Sequence, residues 1–241
     1  MRIEIFIQAR MGSTRLPGKT LKPILGKPML SYQIERLRRS KKADTIVVVI
    51  PDTSENNILE LYCKQEQIPC FRGSEEDVLA RYYHAAMERK ADAIVRITSD
   101  CPLIDAAIID QAISIFCEGD YDYVSNTLIK TFPRGLDVEV FSTKALAYAF
   151  HHTDHQHERE HVTPYFYQHP DLFRLKNISS NMNLAHHRWT VDTPEDLELI
   201  MRIFERLYPQ NPEFTTNDVL ALFEIYPELY SINAHVHQKK L

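Results

Sequence analysis

The sequence predicts an α/β fold built on a doubly wound, mainly parallel sheet. Its opening stretch alternates strand-like and helix-like segments, the rhythm of stacked crossover units. The run Thr45 to Ile50 is almost wholly β-branched, as in a strand covered on both faces. Several predicted strands empty into loops rich in glycine and charge, and ligands of such sheets sit beyond the C-terminal strand ends.

The elements follow in order. Ile3 to Ile7 reads as a buried strand, and Met29 to Arg39 as a helix with Leu30, Ile34 and Leu37 at helical spacing. After the strand Thr45 to Ile50, Asn57 to Gln67 is expected to be a helix with Ile58, Leu61 and Tyr62 inward. Ile68 to Phe71 is a short strand, and Glu75-Glu76-Asp77 suit the first turn of the next helix, which carries Val78, Leu79, Tyr82, Tyr83 and Ala86. Ala93 to Thr98 is a strand ending in Ser99-Asp100-Cys101-Pro102. Asp105 caps a helix over Ala106 to Cys117, and Tyr121 to Ser125 is the next strand.

From about residue 126 to residue 183 the rhythm changes, and this stretch reads as a small α+β insertion that covers the rim or forms a dimer contact. Leu136 to Phe141 alternates apolar and acidic residues, predicting a half-exposed strand whose acids, Asp137 and Glu139, face either a site or water. Leu172 to Ile178 and His187 to Val191 look like returning strands. Thr193 as N-cap, Pro194 at the first helical position and Glu195-Asp196 behind it predict a strong helix start. A last helix, Asn217 to Phe223, precedes a polar tail. The whole, residues 1–241, is expected to be one domain.

Composition narrows the function classes. With 44% hydrophobic and 25% charged residues the chain is ordinary for a globular protein, and its net charge of −5 argues against broad nucleic-acid binding. No signal peptide or membrane-length apolar run is visible, which predicts a cytoplasmic protein. Cys63, Cys70, Cys101 and Cys117 lack metal-ligand spacing and read as reduced, mostly buried thiols.

Chemistry concentrates first in residues 8–20. Arg10, Arg15 and Lys19 place three cations in one glycine-containing loop with no acid among them. Guanidinium forks and a mobile ammonium suit a polyphosphate. The loop is not a Walker A loop: five residues separate Gly12 from Gly18, one too many, and Pro23 blocks the helix a P-loop needs. Asp100 and Asp192 then fall at strand ends on the same predicted rim. Two aspartates facing a triphosphate are what a phosphate-bound magnesium ion needs. His157-Glu158-Arg159-Glu160-His161 matches a zinc-protease signature, but Pro164 and the polar stretch from His151 exclude the long amphipathic helix that signature requires. A solvated, histidine-rich helix start, with one or two of its residues touching substrate, is expected there.

Ala9-Arg10-Met11-Gly12-Ser13-Thr14-Arg15-Leu16-Pro17-Gly18-Lys19, Gly26-Lys27-Pro28-Met29, Ser99-Asp100-Cys101-Pro102-Leu103 and Val191-Asp192-Thr193-Pro194-Glu195-Asp196-Leu197 resemble motifs of the cytidylyltransferases that activate sugar acids, which include the Kdo and acylneuraminate enzymes. Arg72-Gly73-Ser74 through Arg81, Pro133 to Glu139 and Arg159 to Tyr165 are most similar to the spore-coat polysaccharide branch often called SpsF. The resemblance implies a Rossmann-like nucleotide-diphospho-sugar transferase fold, a homodimer, and magnesium on Asp100 and Asp192. It implies CTP held by Ala9, Arg10, Met11, Gly12, Ser13, Arg15 and Lys19, with Ser74 and Asp77 where the base is read. Arg15, Lys19, Asp100 and Asp192 become the catalytic set, and Arg134, Asp137, Glu139 and His161 the candidates for the sugar. A glycosyltransferase of the same architecture and a non-catalytic nucleotide-binding subunit are the other readings. The glycosyltransferase lacks support in an Asp-x-Asp at a strand end, since Asp120-Tyr121-Asp122 begins a strand.

Overall fold

The computed structural model describes residues 1–238. Among them, a seven-stranded sheet runs in the order β5-β4-β1-β6-β8-β7-β9. β1 (Ile3–Gln8) lies between β4 (Thr45–Pro51) and β6 (Ala93–Thr98), and β5 (Cys70–Gly73) flanks β4, all parallel. β7 (Tyr123–Ser125) and β9 (Leu175–Asn177) share that direction, whereas β8 (Glu139–Ser142) runs antiparallel between β6 and β7. A two-residue ribbon of β2 (Pro23–Ile24) and β3 (Lys27–Pro28) stands apart.

Helices cover both faces, because successive strand residues point to opposite sides. Ile5 and Ile7 pack toward α1 (Met29–Leu37), α2 (Asn57–Gln65), α4 (Ala106–Glu118), α8 (Pro194–Leu207) and α9 (Thr216–Ile225). Phe6 faces α3 (Val78–Arg89), α5 (Thr143–His152) and α7 (Pro164–Gln168), with the short α6 (Gln156–His161) at the margin. Asp105 caps α4 through the amide of Ala107, as expected, and Thr193 forms a reciprocal capping box with Asp196. No helix among the described residues is long and apolar enough to cross a membrane.

Several expectations are corrected. On α2 it is Leu59 and Cys63 that are buried, with Tyr62 partly covered, while Ile58 and Leu61 are more than half exposed. Leu59, Tyr62 and Cys63 keep i, i+3, i+4 spacing, one residue out of phase with the predicted stripe. Asp77 is the N-cap of α3, so Glu75 and Glu76 precede the helix. The segment His187 to Val191 forms no strand; it makes an isolated bridge between Arg188 and Arg134 and donates Val191 N–H to the Asp100 carbonyl. β8 is interior, so Glu139 does not face water. Beyond α9 the chain returns in a 3-10 turn, Pro227–Ile232, with Leu229 and Asn233 buried.

Candidate active site

The C-terminal ends of β4, β1 and β6 form one rim, and the opening loop crosses it. Met11 N–H donates to Asn56 Oδ1 at 2.9 Å, and Thr20 Oγ1 donates to the Arg10 carbonyl at 3.2 Å. Gly18 adopts a left-handed φ of 67°, a conformation glycine takes without steric cost, and turns the loop into a single 3-10 turn, Lys19–Leu21. No α-helix starts there, as the rejection of a P-loop requires.

That turn sends Lys19 inward. Its Nζ donates to Asp100 Oδ2 at 2.9 Å, to Asp192 Oδ1 at 2.8 Å and to the Val191 carbonyl at 2.8 Å. Arg15 adds an ion pair to Asp192 Oδ2 at 3.1 Å. The two aspartates meet because Val191 N–H and Thr190 Oγ1 both donate to the Asp100 carbonyl, which stitches the 187–192 segment to the end of β6. Burial alone would lower the Lys19 pKa, but the charges of Asp100 and Asp192 outweigh it and hold the ammonium above its ordinary value. Burial works against the Asp192 carboxylate, yet Lys19, then Arg15 and Arg188, keep it below the usual range.

Arg188, Asp196 and Asn233 complete this corner, and the sequence did not single them out as site residues. Arg188 Nε and Nη2 grip both oxygens of the fully buried Asp196 at 2.8 and 2.9 Å, and Nη2 also reaches Asp192 Oδ2 at 2.9 Å. Asp196 Oδ2 in turn accepts the amides of Asp192 and Thr193, and Asn233 Nδ2 donates to its Oδ1. A readable trace existed in the capping pattern of Thr193 and Asp196; the arginine comes from an extended segment with no periodicity to mark it.

The other predicted residues divide. Ala9 is buried with its amide on the Val49 carbonyl, and Arg10 is exposed and makes no ion pair among the described residues. Gly12 and Ser13 lie in the same loop, Ser13 N–H turning back to the Met11 carbonyl. Ser74 and Asp77 share the turn after β5: Ser74 Oγ accepts Asp77 N–H, and Asp77 takes Ala80 N–H and Arg159 Nε at 2.7 Å. Arg81 is 2% exposed and donates to the Ser74 carbonyl, with its Nε unpartnered and no acid paired to it among the described residues.

On the far side of β6, Glu139 is paired with Arg96 and accepts the Tyr123 hydroxyl at 2.6 Å. Continuing the β6–β8 register sets Asp137 beside Thr98, whose hydroxyl donates to Asp100 Oδ1 at 2.6 Å. Burial pushes the Asp137 carboxyl up and the His161 imidazole down. Arg134 is half-buried, and its backbone bonds the His187 carbonyl and the Trp189 amide.

Two motif matches lose their metal reading. α6 spans six residues, and its buried Glu158 bonds the Thr153 hydroxyl. Asp120 and Asp122 both pair with Arg174 at the start of β7, away from the rim. Among the described residues no group of three or more His, Cys, Asp or Glu side chains could enclose a metal. Asp100 Oδ2 and Asp192 Oδ1 nevertheless converge on one cation, which fits a hard ion that takes its remaining oxygens from phosphate and water. The cysteines are free thiols, Cys63 and Cys101 buried and Cys117 exposed.

A cationic loop packed against two converging carboxylates, Asp100 at the end of β6 and Asp192 after the extended segment, suits the phosphates of a nucleotide, and comparison with known proteins gives the family. The profile of the cytidylyltransferase family matches residues 5–225. The chain belongs to the cytidylyltransferase family. It is 33% identical over 236 residues to the spore coat polysaccharide biosynthesis protein SpsF of Bacillus subtilis, covering 94% of this chain and 95% of SpsF. A 3-deoxy-manno-octulosonate cytidylyltransferase of Hydrogenovibrio crunogenus is 33% identical over 123 residues, 51% of this chain and 50% of that protein. A solved cytidylyltransferase from Leptospira borgpetersenii superposes with a TM-score of 0.91 at 32% identity, covering 100% of this chain and 99% of the other. Within the cytidylyltransferases the chain thus stands near SpsF, and the seven-stranded, mostly parallel sheet is the Rossmann-like fold expected.

Proposed function

We propose that this chain couples CTP to a sugar, in the first instance a keto-acid sugar, giving a CMP-sugar and pyrophosphate for surface polysaccharide or glycan synthesis. The observation that carries the reading is Lys19 lodged between Asp100 and Asp192, with Arg15 alongside, on the rim where this fold binds ligands.

In this reading the anomeric hydroxyl oxygen of the sugar bonds to the α-phosphorus of CTP. The bond from that phosphorus to the bridging oxygen breaks, pyrophosphate leaves, and the hydroxyl proton is lost to solvent. Such a transfer needs alignment and charge neutralisation rather than a protein nucleophile. Arg10, Arg15 and Lys19 hold the phosphates and neutralise the departing charge. Asp100 and Asp192 hold magnesium, which when bound supplies charge neutralisation and a lowered hydroxyl pKa.

The turn from Ser74 to Asp77 takes the base. The sugar falls to Arg134, Asp137, Glu139 and His161, with Glu139 acting through Arg96 because their charges are already matched. Residues 126–183 cover this side of the rim, and a cytoplasmic homodimer belongs to the same proposal. The test is pyrophosphate release from CTP and other nucleotides with a panel of eight- and nine-carbon keto-acid sugars. Release with CTP and one such sugar, dependent on magnesium, is the expected result. CTP binding without release under any acceptor, or transfer from a ready-made nucleotide sugar, would overturn it.

A further inference from the structure

Lys19 occupies the point on which the two carboxylates of the proposed metal site converge. Its ammonium has three protons, and the contacts to Asp100, Asp192 and the Val191 carbonyl take up all three. The outer oxygens of both acids are also engaged. Thr98 Oγ1 donates to Asp100 Oδ1 at 2.6 Å, and Arg188 Nη2 donates to Asp192 Oδ2 at 2.9 Å. The two oxygens that face the shared point, Asp100 Oδ2 and Asp192 Oδ1, both accept from Lys19, so a cation can sit between the acids only by displacing the ammonium. Arg188, which holds Asp192 from outside, is itself fastened to Asp196. The Lys19 side chain is only 12% exposed, so an ammonium displaced without a new anion would be left partly buried and unpaired.

From this geometry we infer that Lys19 is the resident cation of the metal site, and that the site opens to a divalent ion only when a nucleoside triphosphate draws Lys19 away. The inference deepens the proposed function and rests on its assignment of Asp100 and Asp192 to the metal. A lysine suits the exchange, because its charge is a compact point on a flexible stem, unlike the rigid fork of Arg188. The phosphates offer Lys19 and Arg15 new anionic partners, and a divalent ion brings two positive charges to the aspartates where the ammonium brings one. Metal uptake is thereby tied to substrate arrival.

The test measures Mn2+ binding to the full-length protein by electron paramagnetic resonance, without nucleotide. The wild type is expected to bind weakly, and Lys19→Met at least tenfold more tightly, with Asp192→Asn in that background abolishing the gain. Should Lys19→Met fail to fold, Lys19→Gln carries the same comparison. Tight binding to the nucleotide-free wild type, lost in Asp192→Asn, leaves the metal assignment standing and overturns the gate alone. The gate also falls if the lysine variants bind no more tightly than wild type while a non-hydrolysable CTP analogue still promotes Asp192-dependent binding. No Asp192-dependent binding under any condition overturns the metal assignment and the gate together.

Discussion

Arg188 Nη2 lies 2.9 Å from Asp192 Oδ2, so the aspartate presents its other oxygen to Lys19. The same guanidinium neutralises Asp196, which is fully buried. Arg188→Ala strands that carboxylate and should cost about 3–5 kcal/mol in urea unfolding. Arg188→Lys keeps the charge but loses the fork. It should fold, yet raise the metal KM about tenfold, the effect of roughly 1.4 kcal/mol. An unchanged metal KM in a folded Arg188→Lys enzyme would show that Arg188 serves only the fold.

Asp192→Asn keeps the shape of the side chain and a hydrogen bond from Arg188 while removing the charge that Lys19, Arg15 and Arg188 all address. Turnover should fall by about 100-fold or more, the scale of losing a dedicated electrostatic group. Thermal unfolding should confirm a folded protein, because Lys19 retains Asp100. Near-normal pyrophosphate release would sink the assignment of Asp192 to the metal.

How far the sequence could be read depended on whether its signals were local. β1, β4 and β6 were legible because a parallel sheet buries both faces and leaves unbroken apolar runs, and Asp105 and Thr193 were legible because caps act within a few residues. Lys19, Asp100 and Asp192 were expected on one rim, and the structure brings them into direct contact. Arg188 escaped because its partners are set by an extended segment folded back on β6, which no period announces. Apolar–acidic alternation is the signature of a half-exposed strand, and it leaves Glu139 facing either a site or water. The same pattern fits an interior strand whose acid meets a buried arginine, and Arg96, lodged in the apolar run of β6, was the unread clue.

That pair makes its own prediction. Glu139 is 6% exposed, and Arg96 opposite it also donates to Gln8 Oε1 at 3.0 Å. Glu139→Gln leaves the arginine without its countercharge and should destabilise the protein by about 3–5 kcal/mol. A residue that only bound sugar would raise the sugar KM and leave unfolding untouched. Chemical denaturation of the variant separates the two, and wild-type stability would sink the structural role.

His187 sets an acid limit on stability. It is 9% exposed, its Nδ1 has no hydrogen-bond partner among the described residues, and its ring packs 5.0 Å from Phe223 and 5.3 Å from Trp189. Burial, reinforced by His186, pushes its pKa down from 6.5 to about 4. The unfolded chain therefore binds a proton that the folded one refuses. The stability this histidine contributes is whole above pH 6.5 and is lost as pH falls toward 4. The loss per pH unit is at most about 1.4 kcal/mol. Burial lowers His161 as well and raises Asp137, so the wild-type slope carries more than one residue. The difference between wild type and His187→Phe is the informative quantity. Urea midpoints measured from pH 7.5 to pH 4.5 should fall less steeply in the variant, and parallel curves would show that His187 is not buried as a neutral ring.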